Sequence, residues 1–282
     1  MYDLRIKFGV RPRSAGRYGC EPFLISRLRS RRRLLTIFDP CLKVSIIIPA
    51  FNEERLIGET LRRVKAATAA FARRGWASEI IVCDNNSTDR TAELARAEGA
   101  AVVFEPVNQI ARARNSGAAA ASGDWLVFID ADSHPSEGLF ADVAEQIAAG
   151  RCLAGGSTVM LEGPYWVAKL ITRLWNGISR TSCLLAGSFI FCEAGAFREL
   201  GGFSKDLFAA EEIDLSQRLK RLAREKQMRI VILHRHPLVT SARKMHLYTP
   251  REHFRFLLRA VLSHKRVLAS REECHTWYDG RR

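Results

Sequence analysis

The sequence predicts an α/β fold: a Rossmann-like, mostly parallel central sheet with helices on both faces and a mixed C-terminal extension. Three observations predict it. Apolar runs of strand length alternate with segments of helical period from residue 43 to about residue 150, the pattern of parallel strands joined by crossover helices. Several of these runs are apolar throughout, as strands buried on both faces are. The polar pairs Asn52/Glu53, Asp84/Asn85 and Asp130/Asp132 close three of the runs, and in such sheets ligands bind beyond the carboxyl ends of the strands.

Taken in order, the pattern begins at KVSIIIPAFNEE, where Val44 to Ile48 read as a strand stopped by Pro49. ERLIGETLRRVKAATAAFA then places apolar residues at helical spacing. SEIIVCDNNSTD is the second strand with its turn, RTAELARAEGA the second helix, AVVFEP the third strand and the Ala-rich QIARARNSGAAAASG the third helix. The fourth strand, Trp125 to Ile129, runs into Asp130 and Asp132. In an extended chain the side chains at i and i+2 share a side, so these carboxylates converge. Two like charges that close call for a cation beside them, and a hard ion with oxygen ligands, Mg²⁺ or Mn²⁺, suits. The alternative is helix N-capping by Asp132 or Ser133 ahead of SEGLFADVAEQIAA. Beyond residue 150 the alternation weakens. CLAGGSTVML and LLAGSFIFCEA read as strands of a mixed sheet, and PYWVAKLITRLWNGISR between them as an amphipathic helix with Leu170, Ile171, Leu174, Trp175 and Ile178 on one stripe. AAEEIDLSQRLKRLAREK is a helix led by acids, which suit the positive end of its dipole. RIVILHRHPLVTSARKM is a strand with a basic exit.

The 282 residues suit one large domain or two small ones. No apolar run approaches the ~20 residues of a membrane span, and MYDLRIKFGVRPRSAG lacks the apolar segment of a signal peptide. The seven cysteines are scattered and never spaced CxxC, which argues for a reducing compartment and against a disulfide scaffold or zinc site. A net charge of +14 is concentrated at the ends: residues 1–43 hold 11 Lys/Arg and 3 acids, residues 243–282 hold 10 and 4, and the middle balances. Residues 1–42 read as a basic arm outside the main fold. Residues 246–282 read as a basic amphipathic helix and tail, with Phe254, Leu257, Leu258 and Val261 on one stripe flanked by Arg251, Arg255, Arg259 and Arg266, the pattern of a helix in a membrane interface. The other reading packs that helix on the main domain. Motifs of the P-loop, dinucleotide-fingerprint and nucleophile-elbow types are absent.

SIIIPAFNEE, VCDNNSTDRT, ARARNSGAAAASGDWLVFIDAD, GSFIFCEAGAFRELGGF and EEIDLSQRL occur in an order and spacing that resemble the family 2 glycosyltransferases. The resemblance spans residues 43–245 and implies the GT-A fold, with sugar transfer from a nucleotide-diphosphate donor of UDP or GDP type and inversion at the anomeric carbon. It implies a divalent cation, Mn²⁺ or Mg²⁺. It places Pro49, Phe51 and Glu53 along the nucleotide base, and Asp84 on the base. Asn85 and Asn86 depart from the family's Asp-Asp-Gly-Ser there and leave the base open. Arg114 falls near base and phosphates, Asp130 toward the ribose, and Asp132 toward the metal with Asp130 beside it. Glu212 takes the place of the catalytic base, with Glu211 as its neighbour and alternative, and Arg243 in TSARK faces the pyrophosphate.

The chemistry agrees: departure of a diphosphate calls for a cation, and an acceptor hydroxyl needs a carboxylate to take its proton. The acceptor is expected to be a hydroxyl or phosphate, in the narrower reading lipid-linked, with the enzyme cytoplasmic and peripheral on the membrane. Each residue also has a plainer reading: Asp84 as a turn cap, Arg114 as a helix-face ion pair, Glu211 and Glu212 as dipole acids, and His134, His234 and His236 as bystanders rather than ligands. Two other functions compete. One is a nucleic-acid-binding protein carried by the Arg-rich arm; the other is an inactive relative kept for nucleotide-sugar binding.

Overall fold

The computed structural model describes residues 42–163, 166–185 and 187–241. The basic arm, the C-terminal helix and Arg243 lie outside these residues. Eight strands form one sheet: β1 (Lys43–Ala50), β2 (Ala77–Asp84), β3 (Ala101–Phe104), β4 (Trp125–Ile129), β5 (Ser133–His134), β6 (Cys152–Leu161), β7 (Phe189–Glu193) and β8 (Arg229–Thr240). Their order is β3-β2-β1-β4-β7-β6-β8-β5. The first four are parallel, in the order 3-2-1-4, so the winding reverses between β1 and β4. Such a reversal opens a crevice at the carboxyl ends of those strands.

The helices are α1 (Ile57–Ala67), α2 (Ala69–Ala72), α3 (Thr91–Ala97), α4 (Ile110–Ala120), α5 (Glu137–Ala148), α6 (Trp166–Ser182), α7 (Ala194–Glu199) and α8 (Glu211–Glu225). The central strands explain why helices flank both sides. Val44, Ile46, Ile48, Val127 and Ile129 point to one face and meet Leu61, Val64, Phe71 and Phe140 from α1, α2 and α5. Ile47, Leu126 and Phe128 point to the other and meet α4, α7 and α8 through Ala111, Ala118, Phe197, Leu215 and Leu219. This is the period-2 alternation of a strand buried twice. On the second face α4 comes very close: a Cβ on Gly117 would meet Ile47 Cγ2 at 2.6 Å.

Three local expectations are corrected. β1 does not stop at Pro49 but includes it, because pairing with β4 ends at Ile47 and a missing N–H beyond that point costs no ladder bond on that side. The helix after β4 is capped by neither Asp132 nor Ser133; Ser136 caps α5 by accepting from the Leu139 N–H at 3.1 Å. Asp130 and Asp132 are not in extended chain: the Ser133 N–H donates to the Asp130 carbonyl at 3.0 Å, closing a turn, and Thr60 of α1 pins that turn by donating to the Ala131 carbonyl at 2.7 Å. β7 enters antiparallel between β4 and β6, which makes the C-terminal half mixed as expected.

Candidate active site

A cavity of about 210 Å³ opens beyond the carboxyl end of β4, walled by Arg114, Asp130, Gly187, Ser188, Phe208 and the start of α8. Its centre is Arg114, 2% exposed. Arg114 donates to Glu211 Oε1 at 2.7 Å, to Asp130 Oδ1 at 3.0 Å and to the Gly187 carbonyl at 2.8 Å. One guanidinium thus ties α4, β4, the segment before β7 and α8 together. Its Nε has no partner, and its flat face lies 5.1 Å over the Phe203 ring. The next residue, Asn115, fixes that ring by bonding both the N–H and the carbonyl of Phe203 at 2.9 Å. Gln109, ahead of α4, donates to the carbonyls of Lys205 and Leu207 and so holds the loop that delivers Phe208 to Ala210.

α8 starts from a strained residue. Ala210 sits at φ 60 with no side-chain capping bond, a conformation L-residues avoid at about 1–2 kcal/mol. It turns the chain so that Glu211 and Glu212 both enter the cavity. Burial first, and the neighbouring Glu212 second, push the Glu211 carboxyl up to about 8 against the pull of Arg114. Glu212 is also raised, chiefly by burial, while Arg114 and a hydrogen bond from Glu211 pull it back. Glu211 thus sits between Arg114, which its Oε1 meets, and Glu212, to which its side chain is hydrogen-bonded. A Cβ on Gly187 would come within 3.2 Å of the Glu212 carboxyl carbon, so glycine there leaves Glu212 its room.

The nucleotide-side candidates stand apart from the cavity walls, at the ends of β1 and β2. Asn52 and Asn86 take left-handed φ values of 53 and 65. The two loops are laced: Thr88 N–H donates to Asn52 Oδ1 at 2.8 Å, Asn52 N–H to Ser87 Oγ at 3.0 Å, and Glu53 N–H to Thr91 Oγ1 at 2.8 Å. Asp84, 6% exposed, accepts from the Ser87 N–H at 3.0 Å. Asn85 departs from the family motif for a structural purpose, donating to the Val107 carbonyl at 2.6 Å. Pro49 and Glu53 are buried and Phe51 is partly exposed.

Asp130 and Asp132 offer the hard carboxylate oxygens that Mg²⁺ or Mn²⁺ takes. Asp130 commits Oδ1 to Arg114. No group of three or more His, Cys, Asp or Glu placed to hold a metal ion occurs among the described residues; the two aspartates fit part of a cation shell whose remaining positions suit diphosphate oxygens and water. The histidines stand elsewhere. His236 Nδ1 is 3.1 Å from Asp142, His234 is exposed, and His134 is buried with Nδ1 3.7 Å from Glu162.

Comparison with known proteins agrees with this geometry. Residues 45–194 match the family described as Glycosyl transferase family 2. An uncharacterized glycosyltransferase of Mycobacterium tuberculosis is 34% identical over 140 residues, 49% of this chain and 60% of that protein. The undecaprenyl-phosphate 4-deoxy-4-formamido-L-arabinose transferase of Pseudomonas aeruginosa is 33% identical over 167 residues, 55% of this chain and 47% of that protein. The chain thus spans about half to three fifths of these relatives' length. Among solved structures, S. aureus TarS 1–349 in complex with UDP-GlcNAc superposes with TM-score 0.57 at 20% identity, over 83% of this chain and 69% of that one. Glucosyl-3-phosphoglycerate synthase from Mycobacterium tuberculosis with Mn²⁺ and UDP-glucose gives 0.54 at 23% identity, over 79% and 78%. At such identities the structures speak to the fold alone. With the family match covering more than half of the residues, the chain belongs to glycosyl transferase family 2 and has the GT-A fold.

Proposed function

We propose that this protein is an inverting, metal-dependent transferase moving a sugar from a UDP- or GDP-type donor to an acceptor hydroxyl on a lipid-linked substrate, peripheral on the cytoplasmic face of the membrane. The observation that carries the reading is the buried Arg114–Asp130–Glu211–Glu212 cluster around one cavity. The acceptor oxygen attacks the anomeric carbon opposite the diphosphate. The new carbon–oxygen bond forms as the bond to the diphosphate breaks, the electron pair leaves with the diphosphate, and the acceptor's proton passes to Glu212. The configuration inverts. Glu211 is the positioning acid: it bonds Glu212 and anchors Arg114. A divalent cation bound through Asp130 and Asp132 would stabilise the charge of the departing diphosphate. Pro49, Phe51, Glu53 and Asp84 border the base, and Arg243 meets the pyrophosphate.

The P. aeruginosa relative, named for a transfer to undecaprenyl phosphate, supports a lipid-linked acceptor. A phosphate acceptor arrives already ionised, whereas a hydroxyl needs a base, and the carboxylate pair in the cavity favours the hydroxyl. The test is product analysis with Mn²⁺, labelled UDP- and GDP-sugars and polyprenol-linked acceptors. An inverted anomeric centre in the product supports the reading; a retained one contradicts it.

A further inference from the structure

α6 wears its apolar face outward. Among the described side chains, those it turns to the sheet are Thr172, Asn176 and Ser179, with Trp175 half-buried at the edge. Polar bonds hold that seam: Asn176 accepts from the Val159 N–H at 3.0 Å and donates to the Val159 carbonyl at 2.9 Å, and Ser179 donates to the Leu184 carbonyl at 2.6 Å. Trp166 is 74% exposed, Leu174 63%, and Leu170, Ile171 and Ile178 each more than half. At about 100° per residue these five fall within one arc of about 140°. Met160, next to the Val159 that Asn176 grips, is also half-exposed. An amphipathic helix packed only on its own domain has the opposite arrangement.

Charge says what would cover the face. Lys169, Arg173 and Arg180 are exposed on α6 and cluster on one flank of the arc. No Asp or Glu occurs between Glu162 and Glu193. Apolar side chains flanked on one side by cations, with no acid nearby in sequence, match the interface of an anionic bilayer: the arc enters the acyl boundary and the cations meet lipid phosphates. No described helix is long and apolar enough to cross a membrane, so the contact is lateral.

We infer that α6 is a membrane-docking helix seated in the headgroup region of an anionic lipid surface. Its C-terminal end leads through buried Leu185 to Gly187 of the cavity wall, so docking would bring the cavity close to the bilayer. The inference rests on α6 itself and is separable from the transfer reading: vesicle binding and turnover are different measurements.

The experiment is co-flotation of the full chain with phosphatidylcholine vesicles and with equimolar phosphatidylcholine/phosphatidylglycerol vesicles, at low and high salt. The comparison is with Leu170→Glu/Ile171→Glu/Leu174→Glu. At low salt the wild type should favour anionic vesicles by about a hundredfold, as three interfacial cations imply. High salt screens the basic chain ends; under it the triple variant should bind at least about tenfold more weakly than wild type, with an unchanged melting temperature. Quenching of tryptophan fluorescence by brominated lipid should be reduced in Trp166→Phe. Absence of wild-type binding, or equal binding by the triple variant, overturns the inference. A melting temperature lowered by the substitutions would instead assign the face to another segment of the chain. A dimer in size-exclusion chromatography that the substitutions dissolve would assign it to a second copy. Either of these also overturns it.

Discussion

Arg114 faces Asp130 and Glu211 directly, with Glu212 adjoining, and burial makes each of these charges depend on it. Removing one member of a buried ion network strands the others, at a cost of about 3–5 kcal/mol. Arg114→Met should therefore lower unfolding stability by about that much in denaturant titration, although methionine fills much of the space. Glu212→Gln should preserve donor binding and reduce transfer by about 10²–10⁴, the usual contribution of an essential base. Near-normal turnover in steady-state assays would remove Glu212 from that role. Glu211→Gln is the informative partner, through its effect on pH dependence. The Glu211 carboxyl ionises near its ordinary 4.5 when unfolded and near 8 when folded. Between those values the folded chain binds a proton that the unfolded chain has lost. This group's contribution to stability is thus complete below about 4.5 and is lost as pH rises toward 8. The wild-type melting temperature should fall across that window more steeply than that of Glu211→Gln. The single letters showed which acids to examine, because the resemblance pointed to them. They did not show that Arg114 compensates Asp130, because that bond joins residues 16 apart, brought together by the sheet. Part of the charge at Asp130 that calls for a cation is already met by Arg114.

The elements were legible in proportion to their periodicity. Strands β1 to β4 and the helices between them stand where apolar runs and helical spacing predict. β5 and α7 were not foreseen, being short pieces fixed by tertiary contacts rather than by a repeating pattern. The stripe on α6 was legible but its direction was not: the period gives a face, and only the Asn176 and Ser179 bonds show that the polar side is the one turned inward. Likewise the turn at Asp130–Ser133 depends on Thr60 of α1, distant in sequence. Phe203 and Asn115 were passed over as site residues, although both lie inside the quoted motifs GGF and ARN; their work is to pin the ring under Arg114. The contact of α4 with β1 offers a test at this scale. In Gly117→Ala the new methyl would need the space of Ile47 Cγ2, and forcing a close-packed contact costs about 1–3 kcal/mol. Because Arg114 lies one turn earlier on the same helix, the variant should lose activity as well as stability. Loss of stability with unchanged turnover per folded molecule would uncouple α4's packing from the site.

At the scale of the whole molecule, the reversal of winding between β1 and β4 gathers the polar loops on one edge of the sheet, as the three polar strand exits indicate. On one side lie the laced loops of Asn52, Asp84 and Ser87; on the other, the Arg114 cavity. Asp130, in the cavity wall, and Asp132 follow β4, and in the proposed reading a nucleotide on the first group presents its diphosphate to the second. That arrangement is the central claim, and the most direct measurement is the melting temperature of the full chain with UDP-, GDP-, CDP- and dTDP-sugars, with Mn²⁺ and with chelator, for wild type and Asp132→Ala. A ligand at about a hundred times its Kd adds about 2.7 kcal/mol, or a rise of several degrees for a chain of this size. The account predicts such a rise for UDP- or GDP-sugars with Mn²⁺, its loss with chelator, and its absence in Asp132→Ala, whose own melting temperature stays near wild type. No rise with any donor, or an equal rise without metal and in Asp132→Ala, would contradict it.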